Sequence, residues 1–139
     1  MTTNLRFSVA LHILTLLASK GTGLLTSEAI ASSVDTNPVV IRRVMASLRE
    51  SGLVASRPGV NGGWKLKKPA ASITLCKVFE TVREEDLLAM HSHPNPHCPV
   101  GGHIRDSLHE VFAEAEDALH SSLSKQTIAD VLKDVRARA

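Results

Sequence analysis

Residues 37–66 read Asn37-Pro38-Val39-Val40-Ile41-Arg42-Arg43-Val44-Met45-Ala46-Ser47-Leu48-Arg49-Glu50-Ser51-Gly52-Leu53-Val54-Ala55-Ser56-Arg57-Pro58-Gly59-Val60-Asn61-Gly62-Gly63-Trp64-Lys65-Leu66. The hydrophobic period changes once inside this stretch. Before Gly52, Ile41, Val44, Met45 and Leu48 recur at i, i+3, i+4 and i+7, the stripe of an amphipathic helix. Asn37 is placed to cap that helix, and Pro38 suits its first turn, where a backbone N–H has no partner in any case. After Gly52 the period falls to two. Leu53 to Arg57 reads as a strand, Pro58 to Gly63 as a turn and Trp64 to Lys68 as the returning strand. Asn61-Gly62 marks a hairpin, since both residues tolerate positive φ. On the return, Trp64 and Leu66 point one way and Lys65 and Lys67 the other.

The flanking sequence places this helix third in a series. Leu5 to Ala18 carries Val9, Ala10, Ile13, Leu14 and Leu17 at helical spacing. A second, short helix opens at Thr26, a hydroxyl cap, with Glu28 in its first turn beside the positive end of the dipole and Ala29, Ile30 and Val34 facing inward. Three helices followed by a basic hairpin have the order of a winged helix-turn-helix. The expected fold is therefore mostly α with one small β-hairpin. Downstream, Thr74 caps a short helix carrying Leu75, Val78, Phe79 and Val82. An irregular stretch with three prolines follows, and then a long helix from about Ile104 to Leu123. A last helix, capped by Thr127, carries Ile128, Val131, Leu132 and Val135. The expected division is a DNA-binding unit over 1–83, a linker or sensor-like loop over 84–103, and a dimerisation helix with a C-terminal helix over 104–139.

Bulk properties limit the alternatives. A chain of 139 residues supports one compact unit with an appendage. At 43% hydrophobic it is ordinary for a folded protein, and at 3% aromatic its core must be Leu, Val, Ile and Ala. Sixteen basic residues against 14 acidic leave a net charge of only +2, so the positions of the charges matter more than their sum. No run approaches the roughly 18–20 apolar residues of a membrane helix. Arg6 and His12 interrupt the first twenty residues, which argues against a signal peptide. Cys76 and Cys98 form no disulfide framework, and the expected location is a reducing cytoplasm.

Turning at about 100° per residue away from the buried stripe puts Val39, Arg43, Ala46 and Glu50 on the far side of the third helix, with Arg42 and Ser47 flanking. This face is expected to meet double-stranded DNA. Arg42 and Arg43 have the forked donors that read guanine or clamp phosphate. Val39 can touch a thymine methyl, and Asn37 can bond a phosphate at the helix start. The hairpin adds Ser56, Arg57, Gly59, Asn61 and Lys65 along a backbone-tracking loop. Taken alone, the lysines read equally as a solvated, edge-protecting face.

These residues also carry a resemblance. Gly52-Leu53-Val54, Ser56 through Leu66, the Ile73-Thr74-Leu75 helix start and Cys98-Pro99-Val100-Gly101 resemble the Rrf2 (Rrf-two) family of winged-helix transcriptional regulators. Pro94-Asn95-Pro96 before that last motif is similar to its YwnA-like branch. The resemblance spans nearly the whole chain. It implies a homodimer acting as repressor or activator on a palindromic operator, with the long helix of each subunit packed against its mate. The seam of Ile104, Leu108, Val111, Phe112, Ala115 and Leu119 fits such an interface, although a helix folded back on its own domain would also use it.

Family members that hold an iron–sulfur cluster carry three cysteines in the loop before the long helix. Here that loop has Cys98 alone, which argues against a cluster. Cys76 is expected in the core. His91, His93, His97, Cys98 and His103 are the candidates for a zinc or copper site, with ordinary polar surface as the alternative. If Pro99 opens the long helix, Cys98 sits at its positive end, where a thiolate is favoured and a redox-sensing role follows. No nucleophile-and-base arrangement or phosphate-cradling glycine loop points to an enzyme. The remaining alternative is a winged-helix module used only for protein–protein contact.

Overall fold

A 17-residue helix, α1 (Thr3–Ser19), is the hub of the structure. The computed structural model describes residues 3–139, so the first two residues of the expected 1–83 unit lie outside it. Ala10, Ile13 and Leu14 of α1 are fully buried, and helices α2 (Ser27–Val34) and α3 (Pro38–Glu50) pack against it. The hairpin β1 (Val54–Arg57) and β2 (Gly63–Leu66) follows, then α4 (Leu75–Val82), α5 (Ile104–Ser124) and α6 (Ile128–Arg138). The core holds Ile30 from α2, Val40, Ile41, Val44, Met45 and Leu48 from α3, and Leu75, Val78, Phe79 and Val82 from α4. Burial of these apolar side chains is the main force holding the unit together.

Side-chain caps set the helix boundaries. Thr26, Asn37, Thr74 and Thr127 each accept a backbone N–H from the first turn that follows them. Thr127 and Asp130 form a reciprocal capping box, with N–O distances of 2.9 and 3.2 Å. Two inward expectations shift by one helical step. Ala29 is exposed and Cys76 only half-buried, because each sits about 100° away from the residue that is buried, Ile30 and Leu75 respectively.

The hairpin differs in detail from its sequence reading. β2 ends at Leu66, ahead of Lys67 and Lys68, although the Lys67 N–H still donates to the Leu53 carbonyl at 2.9 Å. Asn61 has a φ of 64°, but Gly62 is a glycine for lack of room rather than for sign: a Cβ there would overlap the Arg57 carbonyl oxygen. Gly63, with a φ of 150°, lies so near Leu25 that a Cβ would come within 2.6 Å of the Leu25 carbonyl oxygen. That approach has a purpose. Leu25 and Trp64 exchange two backbone hydrogen bonds, 2.7 and 3.0 Å, which tie the hairpin to the turn before α2.

The segment 104–139 divides in two. The start of α6 is clipped beside α4: Leu75 N–H donates to Gln126 and Ile128 N–H to Ile73, both at 2.9 Å. Ile128 is fully buried in the α1 core. α5, by contrast, has no buried residue along its 21 positions. It leans on α4, where Arg83 bridges Glu80, Asp86 and Glu116 at 3.2–3.4 Å. His120 Nε2 lies 2.7 Å from Glu80 Oε1, within ion-pair reach but out of line for a hydrogen bond. Nearby, the buried Arg6 donates through Nε to the Val82 carbonyl and pairs with Glu84 at 3.3 Å, fixing the start of the loop over 84–103. Among the described residues no helix is long and apolar enough to cross a membrane.

Gly63→Ala should lower the unfolding free energy by about 1–3 kcal/mol, since it forces a side chain into a strained backbone against Leu25. Val60→Ala, at a side chain 93% exposed, should leave it unchanged. Urea unfolding of both variants decides the point: equal midpoints would contradict the close approach.

Candidate nucleic-acid interface

α3 turns its apolar stripe to α1 and leaves Val39, Arg42, Arg43 and Glu50 exposed, with Val39 at 44%. Neither arginine is paired with an acid among the described residues. Ala46 and Ser47 are half-buried at the edges of this face. The Ser47 hydroxyl donates to the Arg43 carbonyl at 3.1 Å, leaving only its acceptor capacity for a ligand. Asn37 uses its Oδ1 as the cap, accepting from Val39 at 2.9 Å, so only its amide protons remain to reach a phosphate.

The strand register sorts the hairpin side chains. Val54 opposes Leu66, Ala55 opposes Lys65, Ser56 opposes Trp64 and Arg57 opposes Gly63. Residues two apart share a face, so Arg57 and Lys65 lie on one side while Ser56 lies with Trp64 and Leu66. Gly59 and Asn61, both at positive φ, shape the exposed tip. The sequence-derived residues thus form two patches: Asn37, Val39, Arg42, Arg43 and Ser47 on α3, and Ser56, Arg57, Gly59, Asn61 and Lys65 on the hairpin.

Between the patches lie residues that sequence reading missed. Trp64 Nε1 donates to Ser27 Oγ at 3.1 Å, and the Arg49 guanidinium stands over the Trp64 ring at 5.8 Å. These contacts join α2, the last turn of α3 and the hairpin into one surface. A polar cleft of about 320 Å³ opens beside them, walled by Thr26, Ser27, Glu28, Ser56, Arg57 and Trp64. Hydroxyls and the positive end of α2 suit a phosphate there, against the opposing charge of Glu28. Gly62-Gly63 was the one local hint of a close approach; Ser27 and Arg49 gave none, because their partner is far along the chain.

The loop over 84–103 is arranged differently from its sequence reading. Pro99 does not open the long helix: α5 starts at Ile104 after successive turns through 96–103, with Gly101 and Gly102 among them. Cys98 is exposed five residues ahead of His103, the N-cap. Its thiol is nonetheless held below the ordinary value, because the backbone N–H groups of Gly101 and then Val100 point at the sulfur and favour thiolate. His91, His93, His97 and His103 are exposed, and among the described residues no three His, Cys, Asp or Glu side chains gather as a metal-holding group. Cys76 lies on α4, outside this loop. The donor set therefore does not fit a thiolate-held iron centre.

The family model described as "Iron-dependent Transcriptional regulator" (Rrf2) matches residues 3–134. "Putative HTH-type transcriptional regulator YwnA" of Bacillus subtilis (strain 168) is 42% identical over 130 residues, 93% of this chain and 96% of that one. The HTH-type transcriptional regulator IscR of Cereibacter sphaeroides is 30% identical over 127 residues, 91% and 81% of the two chains. A solved structure described as "a putative DNA binding protein" superposes with a TM-score of 0.74 at 38% identity, covering 91% of this chain and 98% of that one. The winged helix, the exposed arginines of α3 and these relatives agree: the chain belongs to the Rrf2 family of DNA-binding, helix-turn-helix transcriptional regulators.

Proposed function

We propose that two copies of this chain bind a palindromic operator in the cytoplasm as a homodimeric repressor, and that they do so without an iron–sulfur cluster. The observation that carries the reading is the pair of arginines without acidic partners among the described residues on the outer face of α3, together with the cationic side of the hairpin. α3 enters the major groove, where Arg42 and Arg43 reach base edges and Val39 a thymine methyl. Asn37, Ser47, Ser56, Arg57, Gly59, Asn61 and Lys65 hold phosphate or follow the flanking groove. Occupation of both half-sites covers the duplex, which is why repression is the favoured direction.

Dimerisation is supported by α5. At about 1.5 Å per residue it is roughly 30 Å long, yet Ile104, Leu108, Phe112 and Leu119 are only half-buried and Val111 and Ala115 exposed. Helices of this kind draw their stability from packing an apolar face. A mate's α5 supplies that packing. Cys98, with its amide-stabilised thiolate, is the site at which an oxidant or electrophile would act.

Duplex affinity should fall steeply with salt, and Arg57→Ala should weaken all sequences alike while reducing the log–log salt slope by about 1. Arg43→Ala should cost about 1–3 kcal/mol on the operator alone. Affinity indifferent to salt, or a preference for protein over DNA, would favour the protein–protein module instead. Val111→Asp, at a side chain 54% exposed in the single chain, should leave the monomer fold intact yet shift the sedimenting species from dimer to monomer. A dimer unchanged by it would rule out this seam. In a Cys76→Ser background, the alkylation rate of Cys98 should reach half its maximum at a pH below the ordinary thiol value. A half-point at or above that value would remove the basis for a reactive thiolate.

A further inference from the structure

Trp64 and Ser27 wall a second cleft, of about 240 Å³, and its chemistry differs from that of the polar one. Its floor is apolar: Ile30, Ile41 and Met45 from the core, with the Trp64 ring. Its polar groups lie at the rim, where Arg42 and Arg49 stand without acidic partners among the described residues. Ser27 Oγ accepts from Trp64 Nε1, so its own proton is free to donate. A phosphodiester backbone is poorly matched to such a floor, because desolvating a charged group against Ile and Met gains nothing in return. An apolar body with an anionic head matches both halves: the ring or chain against Trp64, Ile41 and Met45, and the carboxylate across the arginine forks.

We propose that this cleft is an effector site for a small aromatic or branched carboxylate. The cleft shares Arg42 and Ala46 with the side of α3 that faces away from the core. A bound carboxylate takes Arg42 and Arg49 out of reach of DNA and adds negative charge where a duplex would approach. Occupancy therefore weakens DNA binding. Only this last consequence rests on the DNA-binding function proposed above; the site itself does not.

Trp64 is the sole tryptophan in the chain, so its indole N–H gives one reporter resonance in the floor of the site. Titration with benzoate should move that resonance saturably. Benzyl alcohol, which lacks the charge, and inorganic phosphate, which lacks the apolar body, should each bind at least about tenfold more weakly. Arg49→Gln should weaken benzoate by a similar factor. Ala46→Leu, which fills the cleft and keeps both arginines, should abolish the response even if the arginine variant perturbs the hairpin. Saturating benzoate should also reduce affinity for a mixed-sequence duplex at low salt, and Ala46→Leu should remove that effect. No saturable benzoate shift, or equal binding of phosphate or benzyl alcohol, overturns the site. A benzoate shift in a protein without duplex affinity at any salt would leave the site standing and overturn the DNA-binding proposal instead.

Discussion

The surface assigned to DNA depends on how Trp64 is held. Its backbone exchanges two hydrogen bonds with Leu25, its indole N–H donates to Ser27, and its ring lies under the Arg49 guanidinium. A two-stranded hairpin is marginal in water when left alone. Here one residue fastens it to the start of α2 and to the end of α3, so the wing keeps a defined position beside the recognition helix. Without those contacts the arginines of α3 and the cations of the hairpin would be two independent patches on a flexible arm. With them the two patches keep a spacing that is built into the fold.

The same residue separates two environments. On the hairpin side, hydroxyls and Arg57 meet the start of α2 and make a hydrophilic recess. On the α3 side, the floor is aliphatic and aromatic with cations only at the edge. Both recesses border the surface proposed to face DNA, so a ligand in either one would compete with or support the duplex directly, without a long relay through the protein.

Much of this was readable from local sequence because much of it is local. The caps Thr26, Asn37, Thr74 and Thr127 act within three residues of themselves, and each was found where it was expected. The stripe Ile41, Val44, Met45 and Leu48 is buried because helical geometry alone puts those positions on one side. What was not readable is non-local or depends on competition between signals. The pairing of Leu25 with Trp64 joins positions 39 residues apart by sequence number, and neither residue announces the other. Pro99 suggested a helix start, but Gly101 and Gly102 favour turns, and the helix waits until Ile104. The exposure of α5 was legible only as a seam of apolar residues; the fold adds that its own domain leaves that seam only half-covered.

α5 is held over its second half and just past its C-terminal end. Arg83 reaches Glu116 from the end of α4, His120 lies against Glu80, and just past the C-terminal end the chain is stitched to Ile73 and Leu75 before Ile128 plunges beneath α1. A rod fastened over its second half to one body turns with that body. Any tilt imposed on it is passed as torque into α1, the strut against which α2 and α3 rest. In the proposed dimer, the angle at which two such rods cross would therefore dictate the separation of the two α3 helices, leaving little tolerance for an added or missing base pair between their half-sites.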